Sequence, residues 1–261
     1  MSYSRLKSFI EKLKKRNGRF REIQCPSGIP DLLQDLAFQI DRDKNPNILL
    51  KEETAVELGP PDRASFQTIF LVKKPDAVPD GLITIIGPDL PDAAGQSLPF
   101  GQVFLIGGEA LVDAQIGKLE RKQSISSRLP GYMVRLAAGR IWARVSKEAL
   151  GKGFSFETLG RNLMAYYKQS FPEIESMGIL FLTSSDEEVM DLRRLLVNKN
   201  ITAAPPEKKA KKIFGCTYEI DCQDCPNKPI CDRIREMAVQ FENRKPISQE
   251  ERRLLVREIL K

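Results

Sequence analysis

Four of the five cysteines, Cys216, Cys222, Cys225 and Cys231, are spaced C-x5-C-x2-C-x5-C in a chain that contains no histidine. Four thiolates are enough for one complete four-ligand metal site. Without imidazole, a tightly held transition metal must be bound by sulfur, helped by carboxylate. That favours zinc or an iron–sulfur cluster over nickel-, copper- or haem-type nitrogen ligation. The same absence excludes His-based triads and proton shuttles. The short Cys222-x2-Cys225 loop with its two longer arms suits the corners of a [4Fe–4S] cube and also a tetrahedral zinc, with disulfides or free thiols as the remaining reading. Pro226 and Pro229 stiffen the loop and reduce the entropy lost on metal binding. Cys25 stands alone in Gln24-Cys25-Pro26 and is expected to be a structural thiol.

Other chemistry is thinly represented. Glu52-Glu53, Asp186-Glu187-Glu188 and Glu250-Glu251 fall where helices start or turns face solvent, not as converging carboxylates. The formal charge of +6 is uneven: residues 1–21 carry eight Lys/Arg against Glu11, and residues 118–144 carry seven against Glu120. Such patches meet nucleic acid, an anionic cofactor or an acidic partner, although a charged helix face is usually only a solvated one. Met1 to Gly18 has no uninterrupted apolar stretch for a signal sequence, and no later segment approaches a membrane span. Clustered thiols in such a chain lead us to expect a reducing cytoplasm.

The elements that must carry these residues show in the hydrophobic pattern. Leu6, Phe9, Ile10 and Leu13 predict an amphipathic helix over 3–16, ending near Asn17-Gly18. From Ile48 the texture turns to β: Ala55–Leu58, Phe66–Val72, Leu82–Ile86 and Gln102–Ile106, divided by Gly/Pro clusters, predict a sheet of four short strands. A basic helical segment is expected from Asp113 toward Arg128, and Arg140–Val145 alternates as a half-buried strand. Phe156, Leu159, Leu163 and Tyr167 mark a helix, and Ile179–Leu182 a buried strand. Ser185-x-x-Glu188 is a capping box opening a helix through Leu196.

The expected class is α/β (α+β), with mixed sheet layers, packed helices and a small C-terminal helical module around the four-cysteine site. The expected domains are a basic N-terminal helix and connector over 1–47, an α/β region over 48–198, a linker over 199–213 and the four-cysteine module with two helices over 214–261. The linker rests on Ala203-Ala204-Pro205-Pro206 and the lysines at 208, 209, 211 and 212. In the module, Ile230, Ile234, Met237 and Phe241 share a helix face, and Ser248-x-x-Glu251 caps a last helix.

Local signatures in one order carry a resemblance. They are Val56-Glu57-Leu58-Gly59, the strand from Phe66, Ile83-Thr84-Ile85-Ile86-Gly87-Pro88-Asp89, and Ile141-Trp142-Ala143-Arg144-Val145-Ser146-Lys147-Glu148-Ala149. The Leu159-Gly160 helix, Phe171-Pro172 and the acidic turn over 183–189 follow. From Thr54 to Leu196 the chain resembles the beta (acetyl-CoA synthase) subunit of the carbon monoxide dehydrogenase/acetyl-CoA synthase complex. The resemblance implies α/β domains and a coenzyme A surface of arginines around a tryptophan, here Trp142 with Arg140 and Arg144, joined by Arg128 and Arg135. The chemistry agrees in kind, since the cofactor's phosphates suit guanidinium forks and its adenine stacks on indole or guanidinium. A core Trp142 with strand-edge arginines is the bland alternative. The family's nickel-chelating Cys-x-Cys does not occur in these 261 residues.

The resemblance therefore implies a relative of anaerobic one-carbon metabolism acting as an accessory, cofactor-binding or electron-transfer protein, and it favours a [4Fe–4S] cluster over zinc. Implied partners are components of the complex, a corrinoid protein or a ferredoxin. Two alternatives stand beside it. One is an enzyme using the cluster for one-carbon or acyl transfer with coenzyme A or a corrinoid partner. The other is a zinc-stabilised nucleic-acid-binding protein using Lys208 to Lys212 and the basic N-terminal helix, which the poor aromatic interleaving of those basic stretches disfavours.

Overall fold

The computed structural model describes residues 2–197, apart from Ser27, 110–118, Glu120, Arg121, Gln123 and Ala138. The linker and the four-cysteine module lie outside the described residues, as does most of the basic segment after Asp113. Its described end, Ile125–Arg128, forms one 3₁₀ turn.

The N-terminal helix α1 (Tyr3–Asn17) follows the predicted pattern. Leu6, Ile10 and Leu13 are buried on one face, and Gly18 ends the helix in the left-handed region at φ 56°, which costs glycine nothing. The chain then runs through β1 (Phe20–Gln24), the short α2 (Ile29–Leu33), β2 (Thr54–Leu58), β3 (Ser65–Val72), β4 (Leu82–Ile86), β5 (Ser97–Leu98) and β6 (Phe100–Gly107). It continues through β7 (Tyr132–Ala137), β8 (Arg140–Ser146), α3 (Lys147–Gly151), α4 (Phe156–Ser170), β9 (Ser176–Leu182) and α5 (Asp186–Val197).

The strands form two mixed sheets, where the sequence pattern predicted one sheet from β2, β3, β4 and β6. The larger has the order β1-β4-β9-β6-β3 and the smaller β5-β2-β8-β7. β2 leaves its sequence neighbours because Gly59, at φ 60°, and Pro60-Pro61 turn the chain away, and β2 then pairs antiparallel with β8. A Cβ on Gly59 would fall 2.4 Å from the Ile141 carbonyl oxygen, so β8 can approach this turn only because the residue is glycine.

Burial alternates as strand geometry requires. In the central strand β9, Met177, Ile179 and Phe181 enter one core while Leu180 and Leu182 enter the other. The first core joins this face of the large sheet to α4 and to the inner face of the small sheet, through Val56, Leu58, Ile141, Ala143, Val145 and Val134. Phe100, Phe156 and Phe181 stack within it, with Phe156 and Phe181 centroids 4.6 Å apart. The second core packs α1 and α5 on the opposite face.

Polar side chains hold the irregular connections. Asn162 of α4 is buried, donates to the Phe38 and Thr158 carbonyls and accepts from the Ile40 amide. Arg161 donates to the carbonyls of Asp31, Leu32 and Gln34, meeting the open carbonyl end of α2. The predicted capping box forms by half. Ser185 accepts from the Glu188 amide at 3.3 Å, but the Glu188 carboxylate turns to Asn17 and Ser184 instead of the cap's own amide.

Candidate functional site

Because Ile141, Ala143 and Val145 point into the core, Arg140, Trp142 and Arg144 fall on the outer face of the small sheet. The register sets their neighbours. Arg144 lies between Glu57 of β2 and Met133 of β7, Trp142 opposite Arg135, and Arg140 opposite Ala137.

Trp142 is half-buried, and its indole N–H donates to Oε1 of Glu57 at 3.0 Å. Arg144 donates its Nε–H to the same oxygen at 3.0 Å and an Nη1–H to the Leu49 carbonyl at 3.1 Å. Its guanidinium carbon lies 4.7 Å from the indole centroid, a cation–π contact. The Arg144 and Glu57 side chains are only 18% and 21% exposed, so this pair is better shielded than a surface salt bridge.

Arg135 is exposed and donates to the neighbouring Val134 carbonyl at 3.1 Å. Beside these residues the segment before β2 runs along β7, with the Leu49 amide directed to the Met133 sulfur at 3.4 Å. Ile48 and Leu50 are 75% and 61% exposed, two of the three large hydrophobics so presented among the described residues. The result is a face of one ring, two guanidiniums, one carboxylate and an apolar rim.

The other two expected members do different work. Arg140 shares the strand face but reaches across it, donating to Ser65 Oγ at 3.3 Å and to the carbonyls of Pro60 and Arg63 at 3.2 and 2.7 Å. Burial, with Arg193 adding repulsion against the pull of Asp62, lowers its pKa from the ordinary arginine value. It thus ties down the turn between β2 and β3. Arg128 donates to the Arg42 carbonyl, and Arg42 in turn stacks on Tyr166 at 4.9 Å. Among the described residues neither makes a hydrogen bond or cation–π contact with Trp142. Glu57, in contrast, belongs to this face without being among the expected site residues. The available signal was a charged residue between buried Val56 and Leu58, which must face outward.

Four of the eight basic residues of the N-terminal stretch are paired with acids. Lys14 pairs with Glu11 and Glu22, Arg16 with Glu188, Arg19 with Asp92 and Arg21 with Asp89. Cys25 is buried, and desolvation, moderated by Arg161 and aided by Glu157, pushes its thiol up to about 11, an unreactive state at neutral pH. Among the described residues no three His, Cys, Asp or Glu side chains gather to hold a metal ion, and no helix is long and apolar enough to cross a membrane. Cys216, Cys222, Cys225 and Cys231 lie outside the described residues.

Comparison with known proteins places this face within a family. Residues 45–189 match the family model described as the CO dehydrogenase/acetyl-CoA synthase complex beta subunit. Subunit beta 1 of the acetyl-CoA decarbonylase/synthase complex from Methanosarcina mazei is 35% identical over 194 residues, covering 70% of this chain and 40% of the relative. Beta 1 from Methanosarcina thermophila is 30% identical over the same shares. Subunit beta from Archaeoglobus fulgidus is 31% identical over 189 residues, 69% of this chain and 35% of the relative. The chain thus spans well under half the length of these relatives. With more than half of its residues inside the family match and Glu57, Trp142 and Arg144 all within it, the chain belongs to the CO dehydrogenase/acetyl-CoA synthase complex beta subunit family.

Proposed function

We propose that this chain is an accessory, cofactor-binding or electron-transfer member of its family, which docks coenzyme A on the outer face of the small sheet. The observation that carries the reading is the Trp142–Arg144–Glu57 network, a stacked ring and guanidinium set beside the exposed Arg135. A purine stacks on such a surface, and the phosphates of the same ligand pair with guanidiniums. In this reading Trp142, Arg144 and Arg135 meet the ligand, while Arg140 shapes the neighbouring turn and Arg128 the approach from Arg42. The relatives are subunits of an acetyl-CoA decarbonylase/synthase complex, which supports components of that complex as partners, with a corrinoid protein or ferredoxin as the finer expectation.

Trp142 is the only tryptophan, so fluorescence excited beyond the tyrosine absorption band reports this surface alone. Titration with coenzyme A is expected to change its emission and to give a calorimetric signal that weakens as salt is added. No heat and an unchanged spectrum would remove the docking reading.

For the module at 214–261 we propose a [4Fe–4S] cluster held by Cys216, Cys222, Cys225 and Cys231, a donor set of four thiolates that suits it. Such a cluster supplies one-electron transfer. Protein purified without oxygen is expected to contain about four irons and four sulfides per chain. One colourless zinc instead would make the module purely structural.

A further inference from the structure

We infer that Glu57 is the positioning residue of the Trp142 surface: one carboxylate oxygen fixes the indole and the Arg144 guanidinium as a stack formed before any ligand arrives. Side chains at i and i+2 on a strand stand roughly 6.5 Å apart, so Arg144 has to fold back along β8 to lie over the ring. The cation–π attraction alone does little more than offset the side-chain entropy lost when an arginine is ordered, so it does not fix the stack by itself.

Glu57 changes the balance because the register sets it directly opposite Arg144 on the adjacent strand. Its Oε1 takes the Nε–H of Arg144 and the Nε1–H of Trp142, both at 3.0 Å, and the Leu49 carbonyl takes a further guanidinium hydrogen. Charge-assisted bonds of this type are roughly twice as strong as neutral ones. The ring is thereby fixed at its edge and the cation along two of its sides. Glu57 also offsets the charge of Arg144, so attraction for a ligand phosphate falls more heavily on Arg135, across the strand pair from Trp142. Among the described residues nothing donates to Glu57 Oε2 and no acceptor takes Arg144 Nη2. One carboxylate oxygen and the three remaining guanidinium N–H groups are left beside the stack for a planar, anionic ligand.

The ligand part rests on the coenzyme A reading, and the geometric part does not. The test uses the full chain with Glu57→Ala and Glu57→Gln, since glutamine keeps an acceptor of the same reach while losing the charge. In the ligand-free protein, acrylamide quenching of Trp142 is expected to rise about twofold in Glu57→Ala and to stay near wild type in Glu57→Gln. With coenzyme A as probe, Kd is expected to weaken about tenfold in Glu57→Ala and to lie within about threefold of wild type in Glu57→Gln.

Quenching unchanged in Glu57→Ala, or Glu57→Gln as loose as Glu57→Ala, would overturn the inference. Tighter coenzyme A binding in both variants would overturn it too, because Glu57 would then be a competing anion and not a positioner. If the wild type gives no response to coenzyme A, the docking reading falls, and the quenching comparison alone decides the role of Glu57.

Discussion

Asp89→Ala is expected to lower the unfolding free energy by about 3–5 kcal/mol, seen as a fall in the urea midpoint followed by far-ultraviolet circular dichroism. Asp89 is 6% exposed just after β4, and its Oδ1 accepts from its neighbour's amide, Leu90, at 2.7 Å and from the Phe156 amide at 3.0 Å. The second of these is one of the amides at the start of α4 that have no partner within the helix. Alanine would leave both donors buried and unpaired, at about 1–3 kcal/mol each, and would remove a negative charge from the positive end of the helix dipole. Arg21, which binds the other carboxylate oxygen, is 55% exposed. Arg21→Ala is therefore expected to cost under about 1 kcal/mol. Asp89→Asn, which keeps an acceptor at Oδ1, should fall between them. Equal losses for Asp89→Ala and Arg21→Ala would mean that the surface ion pair, not the junction of β4 with α4, is what the carboxylate supplies.

That junction was only half legible in the sequence. The apolar periods of α1, α4 and α5 and the buried run of β9 are local signals, and the structure has those elements where the patterns put them. β1 gave no such signal, because Phe20–Gln24 lies at the edge of the large sheet and carries Arg21 and Glu22 where an inner strand would carry apolar residues. β7 is not among the expected strands either, although its mostly apolar residues lie between Gly131 and Gly139, both at φ 72°, with Arg135 interrupting them. What no local pattern contains is the assignment of strands to sheets. β2 and β3 adjoin in sequence, yet β2 pairs with β8 some ninety residues on, and that register alone brings Glu57 to Arg144. The shared face of Arg140, Trp142 and Arg144 therefore followed from alternation, while their partners did not.

Partners are what separate the two arginines of that face, and their lysine variants should show opposite effects. Arg144→Lys is expected to weaken coenzyme A binding by about tenfold or more, because an ammonium has no plane to stack on the indole and no Nε–H for Glu57. Its effect on the urea midpoint should be the smaller of the two, since a lysine ammonium can still pair with Glu57 across the strands. Arg140→Lys is expected to do the reverse. Its guanidinium spans Ser65 and the carbonyls of Pro60 and Arg63, which a single ammonium cannot reach together. Loss of part of that set should cost about 1–2 kcal/mol of stability and leave coenzyme A affinity within about threefold of wild type. Calorimetry and urea titration on both variants check the pair. If Arg140→Lys loses affinity as Arg144→Lys does, the ligand surface extends over the turn between β2 and β3. If Arg144→Lys binds as wild type does, the stacked ring and guanidinium are not where coenzyme A docks. Both side chains leave β8 on the same side, four residues apart, so neither exposure nor charge forecasts this contrast; it comes from the acceptors each guanidinium has found.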